Sequence, residues 1–232
     1  MATPEQRRAE LVDLYNSLRD HDCPLKATRT KLVFGAGNAD ADIMFVGEAP
    51  GAQEDRLGLP FVGPAGKLLE QLLGEIGLER GDVFINNVLM CRPPGNRDPL
   101  PDEVDECKPF LMKRIELIEP KVICTLGNYA TKLLTGSPRG ITKVHGGPQR
   151  REIAGRMVTL YPLFHPAAAL RSTSVLDLLR ADIQRLPDHE RSPSPDWLRF
   201  PRFEAGRRSG TPLRKVDDLP PHEWRGRKSS GS

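Results

Sequence analysis

Short apolar runs alternate with amphipathic helical patterns along residues 1–190, and this alternation limits the possible folds more than any other feature of the sequence. Continuous apolar runs are typical of strands that are buried on both faces, and helices between such strands favour a parallel sheet. The predicted fold is a three-layer αβα sandwich with a mostly parallel central sheet of about four strands. The predicted strands are Asp42–Gly47, Val83–Leu89, Lys121–Leu126 and Met157–Phe164.

The helical patterns have apolar residues three and four positions apart. The first helix is expected to begin after Thr3, with Pro4 in its first turn and Gln6 completing a capping box, and to end within 19–22. The other predicted helices are Pro64–Ile76, Asp102–Ile118, Tyr129–Leu134 and Val175–Leu186. In such a fold, ligands bind at the carboxyl ends of the strands. The segments at those ends are Gly47–Gly51, Met90–Pro99, Gly127–Ala130 and His165–Arg171.

Charge divides the chain into two parts. Residues 191–232 carry ten basic and five acidic side chains, whereas residues 1–190 carry 24 and 26. The second part is rich in Pro, Arg and Ser, and this composition is typical of a disordered tail. We therefore expect one domain over 1–190 and a flexible basic tail over 191–232 that would add non-specific affinity for any nucleic acid.

The sequence has no apolar run long enough for a membrane span, and its first residues lack the apolar stretch of a signal peptide. A soluble, monomeric, cytoplasmic protein without membrane contacts is expected. Cysteines in that compartment serve more often as metal ligands, catalytic groups or core residues than as disulfides. Cys124 lies in mid-strand and is predicted to be a core residue.

The other three cysteines, Cys23, Cys91 and Cys107, lie in turns or at helix edges. Their spacing alone leaves a metal site and coincidence equally open. An iron–sulfur cluster usually needs four soft ligands. Asp20 stands three residues before Cys23, where a C-x-x-C motif would have its first cysteine, and is followed by His21 and Asp22.

Several side chains at the predicted strand ends or in loops have either a structural or a functional explanation. Glu48 lies in a GEAPG turn, Phe61 in a loop flanked by Gly and Pro, and His165 directly after the last strand. A buried asparagine is costly unless it is paired, which favours a function for one of Asn86 and Asn87. Strand alternation admits only one of the two to a pocket, and the distance to Cys91 favours Asn87.

The order and spacing of five motifs between about residues 14 and 186 resemble the iron–sulfur uracil-DNA glycosylases of family 4. These motifs are GEAPG, GLPFVGPAGKLL, NVLMCRPPGNRDP, the cysteine sixteen positions after Cys91, and HPAAALR. The resemblance implies an enzyme that hydrolyses the N-glycosidic bond of uracil in DNA and starts base-excision repair. It also implies a [4Fe–4S] cluster on Cys23, Cys91 and Cys107, with Asp20 at the position of the family's first cysteine and as the fourth ligand. His21 or Asp22 as the ligand, or a three-iron cluster, remain alternatives.

The resemblance also implies roles for individual residues. Glu48 would stand near the scissile bond and His165 would donate to uracil O2, while Asn87 would read the base and Phe61 would stack on it. Further substrate contacts would come from Gly47, Ala49, Gly51 and Glu54, with Glu54 crowding the C5 position. Leu170 would enter the DNA as a wedge and Arg171 would contact a phosphate. Other basic residues expected on this side are Arg92, Arg97, Arg139 and Lys143.

Two other functions compete with uracil excision. The chain could be a non-catalytic protein that binds uracil-DNA or single-stranded DNA, or it could be an iron–sulfur electron carrier. Joint presence of Glu48, Asn87 and His165 favours the enzyme, because a carrier needs no such polar pocket. The chain also lacks the basic KRR-x-H insertion of the related crosslinking proteins after Asn96, which disfavours a covalent product.

Overall fold

The computed structural model describes residues 2–186 and 199–200. A seven-stranded sheet lies at its centre, in the order β5-β6-β4-β2-β3-β1-β7. Its four middle strands run parallel to one another, as the sequence predicts. The strands are β1 (Ala36–Asn38), β2 (Ile43–Gly47), β3 (Phe84–Asn87), β4 (Val122–Leu126), β5 (Gln149–Ile153), β6 (Arg156–Leu163) and β7 (Arg199–Phe200).

Helices cover both faces of this sheet, and the five predicted helices are all present. Two-residue shifts at their ends are the largest differences from the predicted bounds. The helices are α1 (Pro4–Leu18), α2 (Ala52–Leu57), α3 (Pro64–Glu75), α4 (Pro101–Ile118), α5 (Asn128–Thr135), α6 (Ile141–Val144), α7 (Pro166–Ala169) and α8 (Thr173–Gln184), and a 3₁₀ turn spans Pro94–Asn96.

Alternate side chains of β2 enter two separate cores. Met44 and Val46 pack with α1 and α4 on one face, whereas Ile43 and Phe45 pack with α3 and α8 on the other. All four side chains are at most 3 % exposed. This arrangement confirms the predicted three-layer sandwich, in which both sheet faces are buried. Cys124 is fully buried in the second core, as predicted.

Three antiparallel strands extend the sheet beyond the predicted four. β5 forms a hairpin with β6, β1 pairs with β3, and β7 pairs with β1. The sequence gives no clear signal for them because β5 is largely charged, with the sequence QRREI, and β1 has only three residues. β1 lies between β3 and β7, so β5 and β7 form the two edges of the described sheet.

Most of the predicted tail, 191–232, lies outside the described residues. The exception is β7. Its residues Arg199 and Phe200 pair with Asn38 and Gly37 and are therefore part of the sheet. In the described ranges, no helix is both long enough and apolar enough to cross a membrane.

Candidate active site

A cavity of about 540 Å³ opens at the carboxyl edge of the parallel strands. Segments that follow β2, β3 and β6 form its walls, as expected for a ligand site in an α/β sheet. Its lining includes most of the residues that the sequence points to, namely Glu48, Ala49, Gly51, Glu54, Phe61, Asn87, His165 and Arg171. Pro50, Ala65, Pro93, Asn96, Arg97, Ala167 and Ala168 complete it.

Gly47 lies behind the cavity and allows two of its side chains to approach each other. A Cβ atom at this position would stand 2.3 Å from Asn87 Oδ1 and 2.7 Å from the Phe61 ring. Contacts that short force a neighbour to move. The first glycine of GEAPG is therefore required for close packing. Its backbone conformation does not require a glycine, because its φ angle does not lie in the left-handed region.

Asn87 presents an unsatisfied amide to the cavity. Its side chain is almost completely buried, and Oδ1 has no hydrogen-bond partner among the described residues. Its neighbour Asn86 points away and donates through Nδ2 to Met44 Sδ at 3.5 Å. Arg114 supports the backbone here, since its Nη2 donates to the Asn87 carbonyl at 3.3 Å. A buried amide oxygen without a partner is costly. Asn86 Oδ1 also lacks a partner among the described residues, but Asn87 lines the cavity and Asn86 does not, so the Asn87 oxygen indicates a polar ligand there.

His165 is held as a neutral imidazole with a defined tautomer. The backbone N–H of Ala167 donates to Nδ1 at 3.1 Å, so the ring proton resides on Nε2. Burial lowers the pKa of His165 to about 4, a shift that Glu54 opposes and Arg171 reinforces. The ring lies 5.6 Å from the Phe61 ring, centroid to centroid. At neutral pH the side chain can therefore donate one hydrogen bond without carrying a charge.

Glu48 is a half-buried carboxyl group that lines the cavity. Burial raises its pKa above the ordinary value, and the charge of Asp98 adds to that shift. The carboxylate form nevertheless dominates wherever the pH exceeds the raised pKa. Glu48 thus offers a negative charge to any positive charge that develops in the cavity.

The loop that carries Phe61 is gripped from two directions. Arg80 donates through Nη1 to the Phe61 carbonyl at 2.6 Å and through Nη2 to the Pro60 carbonyl. Glu54 Oε1 accepts from the N–H groups of Val62 and Gly63 at 2.9 and 2.8 Å. Together they hold Phe61 at a φ of 52°, a strained value for a non-glycine residue.

We expect Arg80→Met to displace Phe61. The substitution removes both charge-assisted hydrogen bonds from carbonyls that stay buried, which lowers the free energy of unfolding by about 2–4 kcal/mol. Misplacing a ring at the cavity costs about 10²-fold in the single-turnover rate on a DNA substrate. Arg156→Met is a matched control, because Arg156 pairs with Glu119 on the surface. Equal rates for the two variants would show that Arg80 does not position Phe61.

The segment after His165 carries the predicted DNA contacts. Leu170 is 52 % exposed, which is unusual for a large apolar side chain, and Arg171 lines the cavity mouth. Two of the other basic residues are already paired. Arg97 forms two hydrogen bonds to Glu103, at 2.9 and 2.5 Å, and Arg92 donates to Asn96 at 2.7 Å.

The three predicted cysteine ligands come from separate segments and lie near one another. Cys23 Sγ and Cys91 Sγ are 3.6 Å apart, and Arg29 Nη1 lies 3.3 Å from Cys91 Sγ. Burial raises the pKa of Cys91 to about 12 and also raises the pKa of Cys107. Within the described part of the chain, no three Cys, His, Asp or Glu side chains are arranged as a metal site.

The possible fourth ligands lie outside this group of thiols. Asp20 is exposed, and its backbone carbonyl accepts from Lys26 Nζ at 2.8 Å. The side chain of Asp22 is 96 % exposed. His21 Nε2 is 2.6 Å from Glu106 Oε1, next to Cys107 in the chain.

Comparison with known proteins assigns the chain to a family. The model of the Uracil DNA glycosylase superfamily matches residues 34–186, which include every cavity residue. The chain belongs to this superfamily. Within it, the chain is similar to several type-4 uracil-DNA glycosylases.

Three of these relatives show how far the similarity extends. The type-4 uracil-DNA glycosylase of Sulfurisphaera tokodaii is 46 % identical over 71 % of this chain and 77 % of its own length. The protein of that name from Archaeoglobus fulgidus is 44 % identical over 71 % of this chain and 84 % of its own. The Thermotoga maritima protein is 49 % identical over 66 % and 78 %.

Two buried arginines of this uracil-DNA glycosylase fold were missed by sequence reasoning. Arg80 and Arg114 are 8 % and 0 % exposed and reach backbone carbonyls beside the cavity. Arg114 did give a signal, because it stands on the apolar face of α4 with Leu111, Ile115 and Ile118. A cation on such a face is rarely buried without a specific partner.

Proposed function

We propose that this uracil-DNA glycosylase cleaves the N-glycosidic bond of a uracil that has been turned out of the DNA and into the cavity at Glu48, Asn87 and His165. Uracil excision in DNA repair is the activity of the family. The unpartnered amide of Asn87, buried beside a neutral histidine donor, is the observation that supports the location. A flipped base is recognised by hydrogen bonds to its polar edge and by stacking.

Asn87 selects uracil in this proposal. An amide can donate to O4 and accept from N3–H at the same time, whereas cytosine presents the opposite pattern of donors and acceptors. Phe61 supplies the stacking surface. Gly47 allows the side chains of Phe61 and Asn87 to come close together, because a Cβ atom at this position would clash with both. Glu54 supports the Phe61 loop through two N–H groups and also borders the base, where it can exclude a methyl group at C5.

His165 and Glu48 stabilise the two fragments as the bond breaks. The departing uracil gains negative charge, and the Nε2–H of the neutral His165 donates to its O2. The sugar gains positive charge, which the Glu48 carboxylate stabilises while it orients the attacking water. Water adds to the sugar carbon as the base leaves, and the proton that this water loses ends on the departing uracil anion, so the products are free uracil and an abasic site.

Strand cleavage after alkali treatment tests the proposal against its alternatives. We expect a labelled oligonucleotide with one uracil to be cut at that position after incubation with the protein, while the thymine control stays intact. Binding without cleavage would instead favour a non-catalytic DNA-binding protein. The family match favours the enzyme over that protein and over an electron carrier.

We also propose that Cys23, Cys91 and Cys107 hold an iron–sulfur cluster with Asp20 as the fourth ligand. Three soft thiols from three segments suit the donor set, and Arg29 offsets part of their negative charge. Asp20 is exposed and so must turn toward the thiols. Cys23, Cys91 and Cys107 would then join the residues after α1, the loop after β3 and α4 through the cluster, which would have a structural role and no part in hydrolysis.

We expect Asp20→Cys to make the cluster more resistant to oxygen, because a thiolate binds iron better than a harder carboxylate does. The decay of visible absorption in air measures this resistance, after iron and sulfide analysis of anaerobically purified protein. Asp22→Cys is a matched control two residues away. Equal protection by both substitutions, or unchanged decay in Asp20→Ala, would exclude Asp20 as a ligand. Iron-free protein with full activity would exclude the cluster.

A further inference from the structure

A second cavity, of about 550 Å³, lies beside β5 and has no role in the proposed chemistry. Its charged walls come from the segment between α5 and β5 and from β5 itself. Three cations, Arg139, Lys143 and Arg151, line it, and no Asp or Glu does. We call it the basic cleft.

The basic cleft adjoins the uracil cavity through the end of β6. The ring of His145, in the cleft, lies 4.6 Å from the ring of Phe164, the residue before His165. The N–H of Gly146 donates to the Pro162 carbonyl at 2.9 Å, which fixes the cleft to the carboxyl end of that strand. On its other side, Asn128 Oδ1 accepts from the N–H of Ile141 at 2.7 Å.

The cations of the cleft are not neutralised within the described part of the protein. No ion pair joins Arg139, Lys143 or Arg151 to a carboxylate in that part, although Arg151 does donate to Gln149 Oε1 at 3.0 Å. The carboxylate behind His145 is Asp182, which is 1 % exposed and also pairs with Arg185 at 2.7 Å. Its charge is thus already compensated by Arg185, whose side chain is 67 % exposed.

This concentration of positive charge stands out because residues 1–190 carry slightly more acidic than basic side chains. Three cations that share a concave surface attract a polyanion more strongly than dispersed charges do. The chain's own basic tail, 191–232, carries the wrong charge to fill the cleft.

We infer that the basic cleft binds phosphates of the DNA backbone beside the flipped nucleotide. This inference rests on the proposed function, because the same DNA must occupy both cavities. The two arginines and the lysine would each replace counterions on a phosphate, so they add affinity without reading sequence. Arg171 at the mouth of the uracil cavity and the basic cleft would then contact the backbone at two separate places.

The salt dependence of DNA binding tests this inference. The dissociation constant of a uracil-containing duplex is measured between 50 and 200 mM salt, conditions over which phosphate contacts change affinity strongly. For the triple variant Arg139→Gln, Lys143→Gln, Arg151→Gln, we expect the slope of log K against log salt to become shallower by about 2–3, since each phosphate contact contributes about 0.9.

A matched triple variant removes the same number of charges elsewhere. Lys113, Lys121 and Arg156 are exposed cations that each pair with a carboxylate, so Gln at these positions should change the slope by less than one unit. An equal change in both triple variants would overturn the cleft as a binding site, because net charge would explain it. An unchanged slope in the cleft variant would also overturn it.

The excision assay separates the two possible failures. If the unaltered protein cuts uracil-DNA and the cleft variant keeps the full salt slope, only the cleft inference fails. If the unaltered protein binds DNA but releases no uracil, the proposed function fails. The single substitution Lys143→Glu, at an exposed position of a four-residue helix, gives a further check with little risk to folding.

Discussion

Replacing either Glu48 or His165 by alanine should lower the single-turnover rate of uracil excision by about 10²–10³-fold. Losing one preorganised electrostatic contact typically has an effect of that size. Each side chain would stabilise one fragment of the broken bond, so the two substitutions act on opposite charges of the same transition state. Rates of uracil release at saturating enzyme measure the effect without a contribution from product release.

A surface carboxylate provides the control for Glu48. Glu75 pairs with Arg180 between α3 and α8, outside the cavity lining, so Glu75→Ala should leave the rate within about twofold, as is usual for surface changes. Near-native rates in both Glu48→Ala and His165→Ala would place the chemistry somewhere else in the protein.

The pH dependence of the rate should report Glu48. Its pKa is raised, so it loses its negative charge at a higher pH than an ordinary glutamate does, and the rate falls as the pH drops through that value. His165 has a pKa of about 4 and stays neutral across this range. The decrease of the rate at low pH should therefore disappear in Glu48→Gln, whose remaining activity is low. If the rate of this variant still fell at low pH, a group other than Glu48 would cause the decrease.

Asn87→Asp should nearly abolish uracil excision, by about 10³-fold or more, and shift any remaining activity toward cytosine. An ionised carboxylate only accepts hydrogen bonds, so it repels uracil O4 but can accept from the amino group of cytosine. A site built to satisfy a substrate's polar groups rejects a mismatch by about 10⁴–10⁵-fold. Single-turnover release of each base from matched oligonucleotides measures the change.

Asn86→Asp is the natural control for this substitution. Asn86 is equally buried but lies outside the cavity lining, where it donates to Met44. A loss of stability without a change in base preference is expected there. If Asn86→Asp altered the preference as much as Asn87→Asp did, neither residue would read the base.

The alternation of apolar runs and helical patterns determined the parallel core of the sheet and the five long helices. These features depend on short-range periodicity and on burial of both sheet faces, which four continuous apolar runs make unavoidable. The same reasoning placed the site, because the carboxyl ends of parallel strands meet at one edge. Asn87 was separable from Asn86 because strand side chains alternate between faces.

Only the tertiary structure decided which charged groups support or extend that site. Arg80 and Phe61 are nineteen positions apart, and Arg114 and Phe34 are eighty apart. Contacts over such separations depend on how helices pack on the sheet, and local periodicity carries no information about that packing. The cleft cations gather for the same reason, since the chain after α5 turns back to Asn128 at Ile141 and then packs His145 against Phe164 before β5 begins.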